Sequence, residues 1–164
     1  MTEMELKSEV RIDYSKLRDL LTKQDWREAD LESSRIISKI VGTEDYIYPE
    51  DMERFPCKDL ETIDRLWVEY SSGHFGLSVQ KQIWLSLGGS LTSQTAIDTL
   101  SPLYVKFAQQ IGWLKEDVVS WDELDFSLNA PKGQLPAVWG AGDVMISGAE
   151  PFISAWKRLE VCGI

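Results

Sequence analysis

Few residues of this 164-residue chain are of types that do chemistry, and their spacing argues against a catalyst. His74 is the single histidine. A lone histidine can serve as a metal ligand or a general base. Here it directly follows Ser71-Ser72-Gly73, where a polar turn residue is the simpler reading. No Ser or Cys stands near it in a nucleophile context, and Gly76-Leu77-Ser78-Val79 is not a G-x-S-x-G elbow. The carboxylate pairs Glu44/Asp45, Glu50/Asp51 and Asp122/Glu123 have the right groups for acid–base work. With 27 acidic residues in the chain, such pairs arise by chance and read as solvated surface. Two cysteines and one histidine fall short of the four ligands of a Cys/His zinc site. Cys57 and Cys162 are expected to be reduced thiols, buried or idle, as in a cytosolic-type compartment. Gly88-Gly89 lacks the Lys-Ser/Thr tail of a phosphate loop. No catalytic or metal-ligating residue is assigned.

The aromatic residues carry more information. Trp67, Tyr70, Phe75, Trp84, Phe107 and Trp113 exceed what a small helical core usually needs. Singly, each reads as core rather than binding wall. Together with the ordered stretch Phe126 to Pro136, FSLNAPKGQLP, they suggest a concave apolar site with a few polar groups at its rim. In that stretch Asn129 both donates and accepts, and Lys132 is a cation in an acidic protein. A flat apolar ligand with peripheral carboxylates suits this combination.

These side chains must be positioned by one domain, because the length suits a single core and 43% of residues are hydrophobic. A net charge of −10 argues against nucleic acid. No apolar run is long enough to span a bilayer, and MTEMELKSEVRID has no secretory h-region. Tyr14, Leu17, Leu20 and Leu21 fall at helical spacing. Asp25 and Glu28 read as a capping box opening a second helix that Gly42 stops, with Trp26 wedged in the corner. Residues 43–58 read as a connecting loop with a short helical turn. Asp59 is expected to cap a third helix carrying Leu60, Ile63, Leu66, Trp67 and Tyr70, and Ser78 a fourth, ended by Gly88-Gly89. A polar loop follows at 90–95. Ser101-Pro102 opens another helix, residues 113–121 read as a short hairpin or irregular turn, and Pro151 opens the last helix. The expected fold is mainly α: a single helical domain with long ordered loops.

The segment FPCKDLETIDRLWVEYSSGHFGLSVQKQIW resembles the signature of the genomes-uncoupled-four (Gun-four) domain family. The resemblance rests on Phe55-Pro56-Cys57, Ile63-Asp64, Leu66-Trp67, Tyr70-Ser71, Phe75-Gly76, Ser78-Val79-Gln80 and Trp84. Upstream, LRDLLTKQDWREAD is similar to the family's opening helix pair. Downstream, Ile111-Gly112-Trp113 and Phe126 to Gly133 with Leu135-Pro136 are similar to its later signatures. The likeness runs from about Tyr14 to Pro136.

The resemblance implies a cupped, apolar palm and a non-catalytic function: binding protoporphyrin IX or magnesium-protoporphyrin IX and stimulating magnesium chelatase in chlorophyll synthesis. The implied partner is that chelatase's porphyrin-binding subunit. No covalent cofactor is implied. The alternative is a divergent paralogue that binds bilins or serves as a protein-interaction or signalling module. The residues expected around porphyrin are Asn129 and Lys132 at the carboxylates, Trp113 and Phe126 in the wall or lid, and Phe55, Ile37 and Ile40 in the palm, with Leu135, Tyr70 and Phe75 also among the porphyrin-binding residues. The family usually has Arg, His and Arg where this chain has Lys132, Gln134 and His74. Residues 1–12 are expected to be a flexible lead-in and 13–164 the domain. The implied location is the cytoplasm of a cyanobacterium or a plastid stroma, with peripheral membrane association left open.

Overall fold

The computed structural model describes residues 4–44, 46–91, 101–137 and 150–164. Among these the fold is helical, and the only β-type pairing is an isolated bridge between Leu114 and Val118. The helices are α1 (Ser15–Thr22), α2 (Trp26–Val41), α3 (Pro49–Glu53), α4 (Cys57–Tyr70), α5 (Leu77–Ser86), α6 (Pro102–Gln110) and α7 (Glu150–Cys162). Part of the polar loop expected at 90–95, and Asp45, lie outside the described residues.

Local signals set several helix ends as expected. Asp25 accepts the Glu28 N–H at 3.3 Å, and Gly42 closes α2 with φ 86° in the left-handed region. Ser101 accepts the Tyr104 N–H at 3.3 Å with Pro102 opening α6.

Two expected caps are corrected. Asp59 does not cap α4, which begins two residues earlier at Cys57. Asp59 is fully buried and accepts from Ser8 Oγ at 2.6 Å, Glu9 N at 2.9 Å and Tyr14 Oη at 2.7 Å, holding the segment before α1 against α4. Thr62 adds to this by donating to the Lys7 carbonyl at 2.7 Å. Burial and that carboxylate push the Tyr14 phenol well above its usual range. Ser78 does not cap α5 either. The helix begins at Leu77 after Gly76, and Asp64 reaches over from α4 to accept the Ser78 N–H at 2.8 Å. A side chain at Gly76 has no room for this approach: its Cβ would lie 2.6 Å from Val68 Cγ2.

Two aromatic groups make the core. Trp26, Trp67 and Phe75 meet with ring centroids 5.4–6.2 Å apart and join α2, α4 and the α4–α5 turn. Phe107 meets Trp84 at 5.7 Å, Trp113 at 6.0 Å and Trp156 at 5.2 Å, joining α5, α6 and α7. Buried indole N–H groups find acceptors: Trp67 donates to Ser33 Oγ and Trp113 to the Gln134 carbonyl, both at 2.9 Å. The last helix packs most extensively on α3.

The expected free thiols are a further correction. Cys57, the first residue of α4, and Cys162, the last of α7, form a disulfide across 105 residues with a Cα separation of 5.5 Å. Pairing two residues so distant in sequence requires α7 to return along α4, which no local pattern reveals.

Candidate functional site

The site is built on one face of α2. Arg27, Leu31, Ser34, Arg35, Ser38 and Gly42 recur at helical spacing, so they share a stripe along the helix. At its C-terminal half this stripe and the turn after it line a concavity of about 680 Å³ formed by Ser34, Arg35, Ser38, Lys39, Gly42, Thr43 and Glu44. That volume is in the range of small-molecule sites. Ser34 and Ser38 are the small, more buried members of the floor, while Arg35, which pairs with Glu32, and Lys39 are exposed cations at its edge.

At the N-terminal half, two aromatic rings flank the same stripe. Trp121 and Phe126 meet edge-to-face at 5.0 Å, and both are partly buried. The Arg27 guanidinium lies 4.5 Å from the Trp121 ring centroid and 5.9 Å from that of Phe126. Arg27 also pairs with Asp122 at 2.7 Å. Trp121 is fixed by its indole N–H, which donates to Asp30 at 2.8 Å. Asp30 is fully buried and also accepts the Ala137 N–H at 3.0 Å, so one carboxylate ties α2 to both ends of the 121–137 segment. The short 3-10 turn Trp121–Glu123 that presents the indole is capped reciprocally by Ser120 and Glu123. The N–H and hydroxyl of Ser120 hold the Glu123 carboxyl below its usual range.

The segment after Phe126 is irregular but anchored carbonyl by carbonyl. His74 Nε2 donates to the Ala130 carbonyl at 2.6 Å, and the His74 carbonyl accepts the Gly133 N–H at 2.9 Å. The fully buried Gln80 amide donates to the Gly133 carbonyl at 3.1 Å and the Pro136 carbonyl at 2.8 Å. Gly76 N–H donates to the Leu135 carbonyl at 3.0 Å. The α4–α5 turn and α5 thus form a template for this segment. His74 and the family-signature residues Gly76 and Gln80 act on the loop from behind it.

The sequence-predicted residues divide into four sets. Trp113, Leu135, Phe55, Ile37 and Phe75 are at most 1% exposed and lie in the core. Ile40 and Tyr70 are partly buried against it, and Ile40 and Phe55 both border a separate hollow of about 470 Å³ beside α3. Phe126 alone stands against the α2 stripe through Trp121 and Arg27. Asn129 is exposed, and its N–H donates to Ser127 Oγ at 3.1 Å. Lys132 is exposed on the α5 side, where it lines a groove of about 550 Å³ with Ser78, Val79, Gln82, Ile83 and Ser86. Arg27, Asp30, Arg35 and Trp121 escaped the sequence reading. Arg27 and Arg35 at i, i+8 on the expected second helix were the available signal, but nothing local pairs them with Trp121.

Among the described residues no group of three or more His, Cys, Asp or Glu is placed to hold a metal, and no helix is long and apolar enough to cross a membrane. A family model described as GUN4-like matches residues 7–146. The chain is 32% identical over 93% of its length to the protein ycf53 of Pyropia yezoensis, covering 62% of that relative. It is 30% identical over 75% of its length to a protein of Arabidopsis thaliana named tetrapyrrole-binding protein, chloroplastic, covering 47% of it. The chain therefore spans about half to three fifths of these relatives. Its fold is similar to the solved structure of GUN4 from Chlamydomonas reinhardtii, with a TM-score of 0.76 and 29% identity, covering 96% of this chain and 94% of that one.

Proposed function

Because the chain belongs to the GUN4-like family, we propose that it is a non-catalytic tetrapyrrole-binding protein that takes protoporphyrin IX or its magnesium complex on the α2 face. The observation that carries the reading is the α2 stripe itself: a concavity at one end, the Trp121–Phe126 pair at the other, and cations along its edge. A flat macrocycle would lie on the rings and the small-residue floor. Each 100 Å² of apolar surface it buries would contribute about 2.5 kcal/mol before ordering costs. Arg27, Arg35 and Lys39 would meet its carboxylates, with Asn129 at the loop edge. Lys132 would contribute only by turning away from the α5 groove. Trp113, Leu135, Phe55, Ile37 and Phe75 would back the site from the core rather than touch the ligand, with Ile40 and Tyr70 at its margin. The non-catalytic reading draws support from His74, whose Nε2 is engaged with a loop carbonyl.

In this reading the bound porphyrin is presented to the porphyrin-binding subunit of magnesium chelatase, stimulating the first committed step of chlorophyll synthesis. The work is done in a cyanobacterial cytoplasm or a plastid stroma. Titration with protoporphyrin IX should quench tryptophan emission saturably at micromolar ligand. Arg27→Ala should raise Kd about three- to tenfold for the free acid and much less for the dimethyl ester. Absence of saturable quenching sinks the reading. Red-region absorbance with biliverdin, and none of these changes with porphyrin, would transfer the site to open-chain bilins. Chelatase turnover unchanged by the porphyrin-loaded protein would remove the partner while leaving the ligand.

A further inference from the structure

We propose that the Cys57–Cys162 disulfide is a redox-sensitive clamp: its cleavage by a dithiol reductant releases the end of α7 from α4 and loosens the α3 flank of the binding face. These are the chain's only two cysteines, so the fold commits both to one bond. Both residues are only partly buried, which leaves the bond within reach of an attacking thiolate.

The two ends are chemically unequal. Cys57 is the first residue of α4, where the positive end of the helix dipole favours a thiolate, and Glu9 takes up the neighbouring Lys58 N–H at 3.0 Å. Cys162 is the last residue of α7, at the opposite pole of a helix dipole. Attack is therefore directed at the Cys162 sulfur, with Cys57 leaving as the more stable thiolate. The reductant's second thiol then attacks its own sulfur in the mixed disulfide and releases Cys162 as a thiolate. Two electrons and, after protonation, two protons pass to the protein, and the reductant becomes a disulfide.

What the bond holds is specific. α7 has its most extensive helix contact with α3. Arg158 on α7 donates from Nε to the Phe55 carbonyl at 2.9 Å, between α3 and α4. A further tie at this end joins α7 to α5: the mostly buried Lys81 pairs with Glu160 at 2.6 Å and donates to the Ile164 carbonyl at 2.9 Å. The disulfide is thus the covalent link between the α7 terminus and the segment that follows α3. Chain residues Thr43 and Glu44, which border the α2 concavity, lead into α3. Loosening α3 therefore reaches the concavity's edge, a consequence that rests on the ligand reading above.

The test compares the oxidised protein with the same protein reduced by dithiothreitol, using Cys162→Ser as the permanently open form. Reduction should expose two maleimide-reactive thiols and lower Tm by about 5–15 °C. Amide exchange should rise at least tenfold in residues 150–164 and 49–56 and stay unchanged in α1 and the N-terminal half of α2. Protoporphyrin IX should bind the reduced form at least threefold more weakly, and Cys162→Ser should match it without responding to dithiothreitol. Equal exchange in both forms overturns the clamp. Changed exchange with equal porphyrin affinity overturns its link to the binding face and leaves a structural staple. Failure of porphyrin to bind either form defeats the ligand reading instead, and the exchange data still decide the clamp.

Discussion

Asp64 shows how one side chain can serve a helix it does not belong to. It sits on α4, yet its carboxylate receives the Ser78 N–H at the start of α5, where Gly76 has no side chain to offer. Burial pushes its pKa above the ordinary 3.8, against the lowering effect of the Ser78 and Leu77 N–H groups and of Lys81. The native state therefore holds this proton more tightly than the unfolded chain. That contribution is present below pH 3.8 and is lost as pH rises through the elevated folded value. Asp64→Asn keeps an acceptor for Ser78 and removes the titration. Its urea-unfolding free energy should decline less than wild type's from pH 4 upward, and parallel curves for the two proteins would refute the assignment. Asp30 is the counterpart at the candidate site: a buried carboxylate whose partners, Trp121 and Ala137, are about 90 and 107 residues away. Its type and position on a helix were visible in the sequence, but partners at that distance were not.

At the scale of elements, the 126–137 segment is the case where composition predicted order without predicting its cause. Two prolines and a glycine in FSLNAPKGQLP exclude regular structure before Pro136. The segment is nonetheless held at four successive carbonyls, from Gly133 to Pro136, and at Ala130 by His74, Gly76, Gln80 and Trp113. His74→Ala should leave the Ala130 carbonyl without its donor and speed amide exchange at Gly133 and Gln134 severalfold. Porphyrin affinity should fall by a similar factor while Tm moves by less than about 4 °C, as one hydrogen bond of about 1 kcal/mol implies. His74→Gln, with a donor of similar reach, should recover part of the affinity. Unaltered exchange in the alanine variant would show that the imidazole does not hold the loop. Helix existence was legible throughout, because periodicity and caps such as Asp25 and Ser101 act within a few residues. The starts of α4 and α5 were misread because Asp59 and Ser78 look like local caps. Asp59 is instead occupied by Ser8, Glu9 and Tyr14, and Asp64 supplies the acceptor for Ser78.

At the scale of the whole molecule, the aromatic surplus divides by burial. Most of it closes the core, and Phe107 is the joint where rings from α5, the turn after α6 and α7 converge. Phe107→Ala should cost about 3–5 kcal/mol and lower Tm by about 10 °C in a single cooperative transition. A loss below 1 kcal/mol would mean that the three tryptophans hold together without it. The sequence alone determined the helical class, the order of the elements and the family signature, because hydrophobic period, caps and spaced motifs are written locally. It also singled out the 126–136 loop and Phe126, whose ring lies against Trp121 and Arg27 beside α2. Only the tertiary structure decided that Trp113 and Phe75 belong to the core, that Lys132 faces α5, that Arg27 stacks on Trp121, and that Cys57 meets Cys162. Each of these depends on which surfaces are brought together by residues tens of positions apart. Burial, ring stacking and disulfide pairing are properties of that meeting rather than of either residue.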